Sequence, residues 1–169
     1  MPASPAELFE RHHLAIYRYL LRMTGSRDQA EELTQDVFLR VIKSQGSYTE
    51  QDRERAWLFQ IARNLRCDRL RHDRRRIPPL QLDNYEPAEA PRQALRLNLL
   101  QALANLSDED REAFVLAEIG GLSYAEIGLV CVITPAAVRS RIYRARLALR
   151  AALAASVIDE TRLVRGNHA

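Results

Sequence analysis

Apolar residues recur at helical spacing along most of the chain, and short polar breaks separate the repeats. In the first part, the third- or fourth-residue spacing predicts three helices, over about 6–23, 28–43 and 53–72. Gly25 lies in the first break, and the polar stretch 44–52 reads as a loop. Each predicted helix has one apolar face to bury, so the three can share a core.

A cluster of prolines follows the third predicted helix. Pro78, Pro79, Pro87 and Pro91 stand among several acidic residues. Proline is unfavourable in a helix interior, so we predict a linker over 76–92. The linker divides the chain into a domain at 1–75, a domain at 93–154 and a tail at 155–169, in which little pattern remains. The expected fold class is all-α, with two small helical domains.

The second domain contains a short helix, a tight turn and a longer helix within residues 124–146. Ser123 and Glu126 form the pattern of a capping box, and Thr134-Pro135 is a typical helix start. This layout predicts a helix-turn-helix, the long helix ending near Ala154.

The longer helix of this motif has two different faces. Val138, Ile142, Ala145 and Leu149 repeat every three or four residues as an apolar stripe. Arg139, Tyr143, Arg146 and Arg150 repeat in the same way on the other side. A helix with one packed face and one cationic face is suited to the DNA major groove. Val132 occupies the turn, where Gly is convenient because φ is often positive, so we expect a distorted turn or other dihedrals.

The charge is concentrated in two separate blocks. Residues 63–76 contain seven Arg against Asp68 and Asp73, a net of +5, and residues 139–150 contain five Arg and no acid, another +5. Residues 77–110 carry six acids against two Arg, a net of −4. Two basic blocks, each on a predicted helix, indicate two contacts with a polyanion, although a single such run is more often a solvated helix face.

Aromatic residues near the first basic block have two interpretations. Tyr48, in the polar loop, is a candidate for stacking on unpaired bases. Trp57, at a helical spacing, is better explained as a core residue.

Other classes of function find little support in the residues. The chain has no phosphate loop, no HExxH and no nucleophile elbow, so no enzyme is predicted. Cys67 and Cys131 are far apart without a CxxC motif, which is typical of a reducing cytosol. We expect no metal, no cofactor and no small-molecule substrate, and a cytoplasmic location, since no apolar run has membrane-spanning length.

Four sequence segments, in this order, resemble the extracytoplasmic-function (ECF) sigma factors, which belong to the sigma-70 family of bacterial RNA polymerase subunits. The segments are AEELTQDVFLRV (30–41), RAWLFQIARNLRCDRLR (55–71), LSDEDREAFVLAEIGGLSYAEIG (106–128) and VRSRIYRARLALR (138–150). The resemblance covers about residues 7–152 and implies a subunit that directs core RNA polymerase to promoter DNA.

The resemblance also implies three sets of site residues. Those for docking on core polymerase are Leu33, Gln35, Asp36, Phe38 and Arg40. Those for the minus-ten element are Tyr48 and Asn64 at an extruded base and Arg63, Arg66 and Arg71 on the backbone. Those for the minus-thirty-five element are Arg139, Ser140, Tyr143 and Arg144, with Tyr124 near phosphate.

The resemblance also implies how the protein is regulated, and a different class of DNA-binding protein is the main alternative to it. The family is commonly held inactive by an anti-sigma factor, so we expect such a partner, with a link to the membrane. A conventional repressor sharing the C-terminal module is the main rival, but repressors usually bind paired half-sites as dimers. The first domain, with its own basic helix, disfavours that alternative.

Overall fold

The computed structural model describes residues 3–44, 53–73 and 90–166, excluding the side chains of 90–94 and 156–166. The described residues form helices α1 (Pro5–Thr24), α2 (Arg27–Lys43), α3 (Glu54–Asp73), α4 (Ala90–Ala104), α5 (Asp108–Glu118), α6 (Tyr124–Cys131) and α7 (Pro135–Gly166). The all-α fold class is therefore confirmed.

The first three helices pack on one another, as their apolar spacing predicted. A capping box begins α1, where the Ser4 amide donates to Glu7 at 2.7 Å. Gly25 ends α1 with φ of 69°, a left-handed conformation that glycine adopts at little cost. The tight connection brings α2 back along α1, and α3 packs against both. Ile16, Val37 and Phe59 are fully buried between these helices.

The remaining helices pack around α7. Helix α5 lies against α6 and α7, and α4 packs along α7, where Ala102, Leu103 and Leu149 form a small cluster of their own. Helix α4 begins at Ala90, so Pro91 lies in its first turn, where the missing N–H costs no intrahelical hydrogen bond. The linker was predicted to extend to residue 92, but α4 already begins at Ala90. The prediction was therefore wrong for residues 90–92.

Helix α7 also differs from its predicted extent. It continues to Gly166 rather than ending near Ala154. Residues 151–165 contain no Gly or Pro, and several of them, such as Ala and Leu, are good helix formers, so nothing in the local sequence stops the helix before Gly166. The interpretation of 155–169 as a patternless tail was wrong for the residues up to 166.

The two halves of the molecule are in contact. We call residues 3–73 the N-terminal half and 90–166 the C-terminal half, each as far as the structure describes it. Helix α3 packs on α6 and α1 packs on α5. A single apolar cluster extends from Leu8 in α1 to Ile142 in α7. The basic face of α3 is thereby brought against the C-terminal half.

Candidate nucleic-acid interface

The helix-turn-helix is built by local capping. The Ser123 amide donates to the Glu126 carboxylate at 2.7 Å, and the Glu126 amide donates to Ser123 Oγ at 3.3 Å. The predicted capping box is thus confirmed, and it begins α6. At the start of α7, the Ala137 amide donates to Thr134 Oγ1 at 3.2 Å, so Thr134 caps the longer helix as expected.

The turn between α6 and α7 holds a valine in a left-handed conformation. Val132 has φ of 58° and ψ of 49° and is 80% exposed. The expectation of a distorted turn was therefore wrong, because Val132 keeps the left-handed conformation that Gly would favour. This conformation is strained for a β-branched residue, since its Cβ lies close to the backbone. Gly128 permits the close approach, since a Cβ there would lie 2.7 Å from the Ile133 carbonyl oxygen.

Helix α7 presents the two faces that its spacing predicted. Val138, Ile142, Ala145 and Leu149 are all buried, whereas Arg139, Tyr143, Arg146 and Arg150 are all exposed. Tyr143 is 66% exposed, which is unusual for a large aromatic side chain. This arrangement leaves a cationic and aromatic surface available to a nucleic acid.

Two arginines of α7 are tied to α5. Arg144 donates to Asp110 through both Nε (3.0 Å) and Nη2 (2.6 Å), and Arg146 Nη2 donates to Glu118 at 2.8 Å. Hydrogen bonding to Asp110 raises the pKa of Arg144 above its ordinary value. Both guanidiniums are solvent-accessible, so phosphate can compete for them.

The other residues predicted for the minus-thirty-five element lie on or beside this surface. Ser140 is exposed, and its hydroxyl donates to the Ala136 carbonyl at 3.2 Å. Tyr124, at the start of α6, is half-buried and packs against the core. The structure thus brings Arg139, Ser140 and Tyr143 together at the beginning of α7.

The residues predicted for the minus-ten element separate into two groups on α3. Asn64 and Arg71 are exposed, and Arg71 pairs with Asp68 at 3.0 Å. Arg66 is buried and Arg63 half-buried, because both face the C-terminal half. Tyr48 lies outside the described residues.

A buried carboxylate receives these two arginines. Glu112 Oε1 accepts from Arg66 Nη2 at 3.0 Å and from the Tyr19 hydroxyl at 2.9 Å. Its Oε2 accepts from Arg63 Nε at 3.1 Å and, more weakly, from Cys131 Sγ at 3.8 Å. Sequence reasoning missed Glu112, although a signal existed: it lies four residues before Leu116, on the buried face of α5.

The surroundings of Arg66 and Tyr19 shift the pKa of each side chain. Burial by itself would lower the pKa of Arg66, but the Glu112 and Asp108 carboxylates raise it above its ordinary value. Burial raises the pKa of the Tyr19 hydroxyl well above its usual range, and the nearby Glu112 carboxylate adds to this, so Tyr19 remains a donor. Arg66 also reaches Asp108 Oδ2 at 3.0 Å.

The surface predicted to dock on polymerase is only partly exposed. Leu33 and Phe38 are 2% and 6% exposed and belong to the core, so their assignment to an interacting surface needs correction. Their helical spacing matches that of Ala30, Val37 and Val41, which face the same core. Gln35 and Arg40 are exposed and Asp36 is half-buried. Leu39 and Ile42, about half exposed, extend this surface and were missed.

Within the described ranges, no group of three or more His, Cys, Asp or Glu side chains is placed to hold a metal ion. No described helix is both long and apolar enough to cross a membrane.

Comparisons with known proteins agree with the geometry. The family model "Sigma-70 region 2" matches residues 8–76, and "Sigma-70, region 4" matches residues 96–149. The RNA polymerase sigma factor CarQ of Myxococcus xanthus is 39% identical over 149 residues, which cover 85% of this chain and 86% of CarQ. The ECF sigma factor SigE of Mycolicibacterium smegmatis is 38% identical over 157 residues, 88% of this chain and 61% of SigE.

Solved structures show the same similarity. One is a co-crystal structure of the sigma factor RpoE with the anti-sigma factor NepR from Bartonella quintana (TM-score 0.70, 26% identity, 86% of this chain and 93% of that chain). Another is CnrH in complex with the cytosolic domain of CnrY (TM-score 0.67, 25% identity, 89% and 88%).

The chain belongs to the sigma-70 family of RNA polymerase sigma factors. Within that family it is an ECF sigma factor. It is therefore a specificity subunit for transcription initiation and not an enzyme.

Proposed function

We propose that this sigma factor directs core RNA polymerase to promoters by reading two DNA elements, one with each half of the chain. The observation that carries this proposal is the two-faced helix α7, with Val138 and Ile142 buried and Arg139 and Tyr143 exposed. A rigidly packed helix with such an outer face can enter a major groove without rearrangement.

The beginning of α7 reads the minus-thirty-five element. Arg139 is exposed there and can donate two hydrogen bonds to a guanine edge, while Ser140 and Tyr143 lie within one turn of it. Arg144 contacts phosphate after exchanging Asp110 for it, and Tyr124 lies near the same strand. The exposed position of Arg144 supports this exchange.

The exposed face of α3 reads the minus-ten element. Asn64 and Tyr48 bind an extruded base, and Arg71 contacts the backbone. Exposure of Asn64 and Arg71 supports these roles. Capture of unpaired bases offsets the cost of melting, on the order of a few kcal/mol per flipped base, so no ATP is needed.

The outer face of α2 docks on core polymerase through Gln35, Leu39, Arg40 and Ile42, with Asp36 at its edge. Partly exposed aliphatic side chains among polar ones are typical of a protein-binding surface. Docking places both halves over one promoter, so that effective concentration multiplies two weak affinities.

An anti-sigma factor is the expected inhibitor. The RpoE structure contains a sigma factor with an anti-sigma factor, and this supports the same kind of partner here. The CnrH structure likewise holds a bound partner, the cytosolic domain of CnrY. The complex forms in the cytoplasm, where polymerase acts, and the partner is linked to the membrane. A pull-down from native cells should recover a protein in addition to polymerase; recovery of polymerase alone under every growth condition would contradict this part.

Reconstituted transcription tests the proposal. Purified protein is added to sigma-free core polymerase with fragmented genomic DNA, and the transcripts are sequenced. New 5′ ends with two shared upstream motifs at fixed spacing are expected. Transcription at the core-only level, with the protein alone protecting a palindromic duplex site, would instead identify a repressor.

A further inference from the structure

Three polar side chains, one from each helix around the helix-turn-helix, meet at the surface of the C-terminal half. Glu118 is the last residue of α5, Tyr124 is the first residue of α6, and Arg146 lies in α7. Arg146 Nη2 donates to Glu118 Oε1 at 2.8 Å, and the Tyr124 hydroxyl lies close enough to accept a hydrogen bond from the same guanidinium. We call Glu118, Tyr124 and Arg146 the three-helix triad.

Buried neighbours fix the backbone positions of the triad. Ala145, which precedes Arg146, is fully buried, and Leu122, just before the cap of α6, is buried as well. The Tyr124 ring is half-buried against the core. The Glu118 and Arg146 side chains, by contrast, are 47% and 48% exposed. The triad therefore has a rigid base and presents its polar atoms at the surface, where a macromolecule can contact them.

The triad can bind an anion without losing its internal contacts. A guanidinium carries N–H donors on each of its nitrogens, and Glu118 is held through Arg146 Nη2. The Tyr124 hydroxyl can accept from Arg146 and still donate its own hydrogen. Phosphate oxygens are strong acceptors for both kinds of donor. Arg146 and Tyr124 therefore offer N–H and O–H donors to one phosphate group while Glu118 keeps its place.

The triad lies on the side of α7 that the proposed function turns toward DNA. Arg146 belongs to the exposed face that also holds Arg139 and Tyr143. It follows Arg139 by about two helical turns, roughly 10 Å, so it lies beyond the part of α7 that reads bases. In a helix-turn-helix, the first helix crosses the DNA backbone. Tyr124 begins that helix, so a backbone phosphate can meet Tyr124 and Arg146 together.

We propose that Glu118 is a positioning residue that holds Arg146 beside Tyr124, so that these two side chains bind one phosphate of the DNA backbone next to the minus-thirty-five element. Glu118 itself does not touch DNA. It restrains a long, flexible side chain before DNA arrives, so less conformational entropy is lost on binding. This inference rests on the proposed function, since it assumes that α7 enters the major groove.

The sign of the effect separates positioning from plain electrostatics. A carboxylate near a phosphate repels it, so loss of the charge alone would tighten DNA binding, whereas loss of positioning would weaken it. Glu118→Ala removes both the charge and the hydrogen-bond acceptor, and Glu118→Gln removes the charge but keeps an acceptor for Arg146. Glu109→Ala is the matched control, because it removes a carboxylate from an exposed position on the same helix.

The experiment measures binding of holoenzyme, formed from the full-length protein and core polymerase, to two DNA duplexes. One duplex carries the minus-thirty-five motif found by reconstituted transcription, and in the other that motif is scrambled. Titrations at several salt concentrations give the affinity and the slope of its logarithm against the logarithm of the salt concentration, which reports the number of phosphate contacts. Circular dichroism establishes that each variant keeps its helices.

Arg146→Ala is expected to weaken binding of both duplexes about tenfold and to flatten the salt slope by about 0.9, as for one lost phosphate contact. Glu118→Ala should weaken binding of both duplexes about threefold, whereas Glu118→Gln and Glu109→Ala should not weaken it. Added to Arg146→Ala, the Glu118→Ala change should cause no further loss, because Glu118 acts through Arg146.

Unchanged or tighter binding by Glu118→Ala would overturn the proposal, and so would a further loss of affinity in the double variant. If Glu118→Ala loses its helical signal, Glu118→Asp takes its place: it keeps the charge but is one methylene shorter, and it must also weaken binding about threefold. Arg139→Ala in the same titrations reads the proposed function separately. If Arg139→Ala loses the preference for the motif while Glu118→Ala behaves as wild type, only this inference fails; if Arg139→Ala keeps that preference, the proposed function fails and this inference fails with it.

Discussion

The basic helices α3 and α7 carry similar sequences of arginines, yet the structure uses them in opposite ways. On α3, Arg63 and Arg66 point into the molecule and meet Glu112. On α7, Arg139 and Arg150 point to solvent, and none of the described residues forms an ion pair with either. The two blocks have equal net charge by sequence, so charge alone does not distinguish them.

The difference lies in how far the ion pairs of each helix are exposed to solvent. Arg144 and Arg146 are paired, but their partners lie at the surface, where such pairs contribute little and phosphate can replace the acid. Arg66 is paired in a buried site, its side chain 4% exposed and that of Glu112 3% exposed, where separation from the partner is costly. The arginine face of α7 is therefore accessible to solvent, whereas the arginines on the inner face of α3 are covered by the C-terminal half.

The largest expected effect sharpens this contrast through stability. Arg66→Ala should lower the free energy of unfolding by about 3 kcal/mol, the low end for a broken buried pair, because Arg63 and Tyr19 still donate to Glu112. Arg146→Ala, on the exposed side of α7, should change it little. Urea denaturation followed by circular dichroism measures both; equal effects would remove the distinction between the two helices.

DNA recognition gives the next effect. Arg139→Ala should weaken binding of holoenzyme to a cognate promoter by about 1–3 kcal/mol and relax the base preference at one position. Arg150→Ala lies three turns further along α7 and should weaken binding of all sequences alike. Competition binding with a set of single-base promoter variants separates the two patterns. An unchanged base preference in Arg139→Ala would show that this arginine does not read a base.

The turn that positions α7 provides a smaller effect. Val132→Gly should stabilise the protein by about 1 kcal/mol, because the left-handed conformation disfavours a β-branched side chain. Leu129→Gly, at an exposed position inside α6, should destabilise it by about the same amount. Thermal unfolding of both variants should therefore show shifts of opposite sign. Shifts of the same sign would mean that Val132 is not strained.

The smallest expected effect is on the stability of the protein at acidic pH. Partial burial would raise the pKa of Asp108, but Arg66 and then Arg111 outweigh it and lower the pKa from its ordinary value of 3.8. The lowered pKa means that Asp108 stabilises the fold above pH 3.8 and loses this contribution as the pH falls through the folded-state pKa. The stability difference between wild type and Asp108→Asn should thus shrink below pH 3.8, as measured by urea denaturation from pH 6 to pH 3. A constant difference would exclude the ion pair as its source.

Much of the architecture could be predicted from local sequence because helices are local structures. Backbone hydrogen bonds join residues four apart, and the apolar stripe Val138, Ile142, Ala145 and Leu149 reports one buried face directly. The capping box at Ser123 and Glu126 involves residues three apart, so it too was visible in the sequence. The resemblance to the ECF sigma factors added the expected DNA-binding roles of α3 and α7 to this outline.

The partners of the charged residues were decided only by the tertiary structure. Arg66 and Glu112 are 46 positions apart, and Tyr19 and Glu112 are 93 apart. The residue spacing within α3, α5 or α6 does not predict that α3 will lie against the other two helices. That contact depends on how apolar faces from the whole chain pack together. The sequence by itself determined which residues are helical and which faces are apolar; the packing of the halves decided which arginines face Glu112 and which face the solvent.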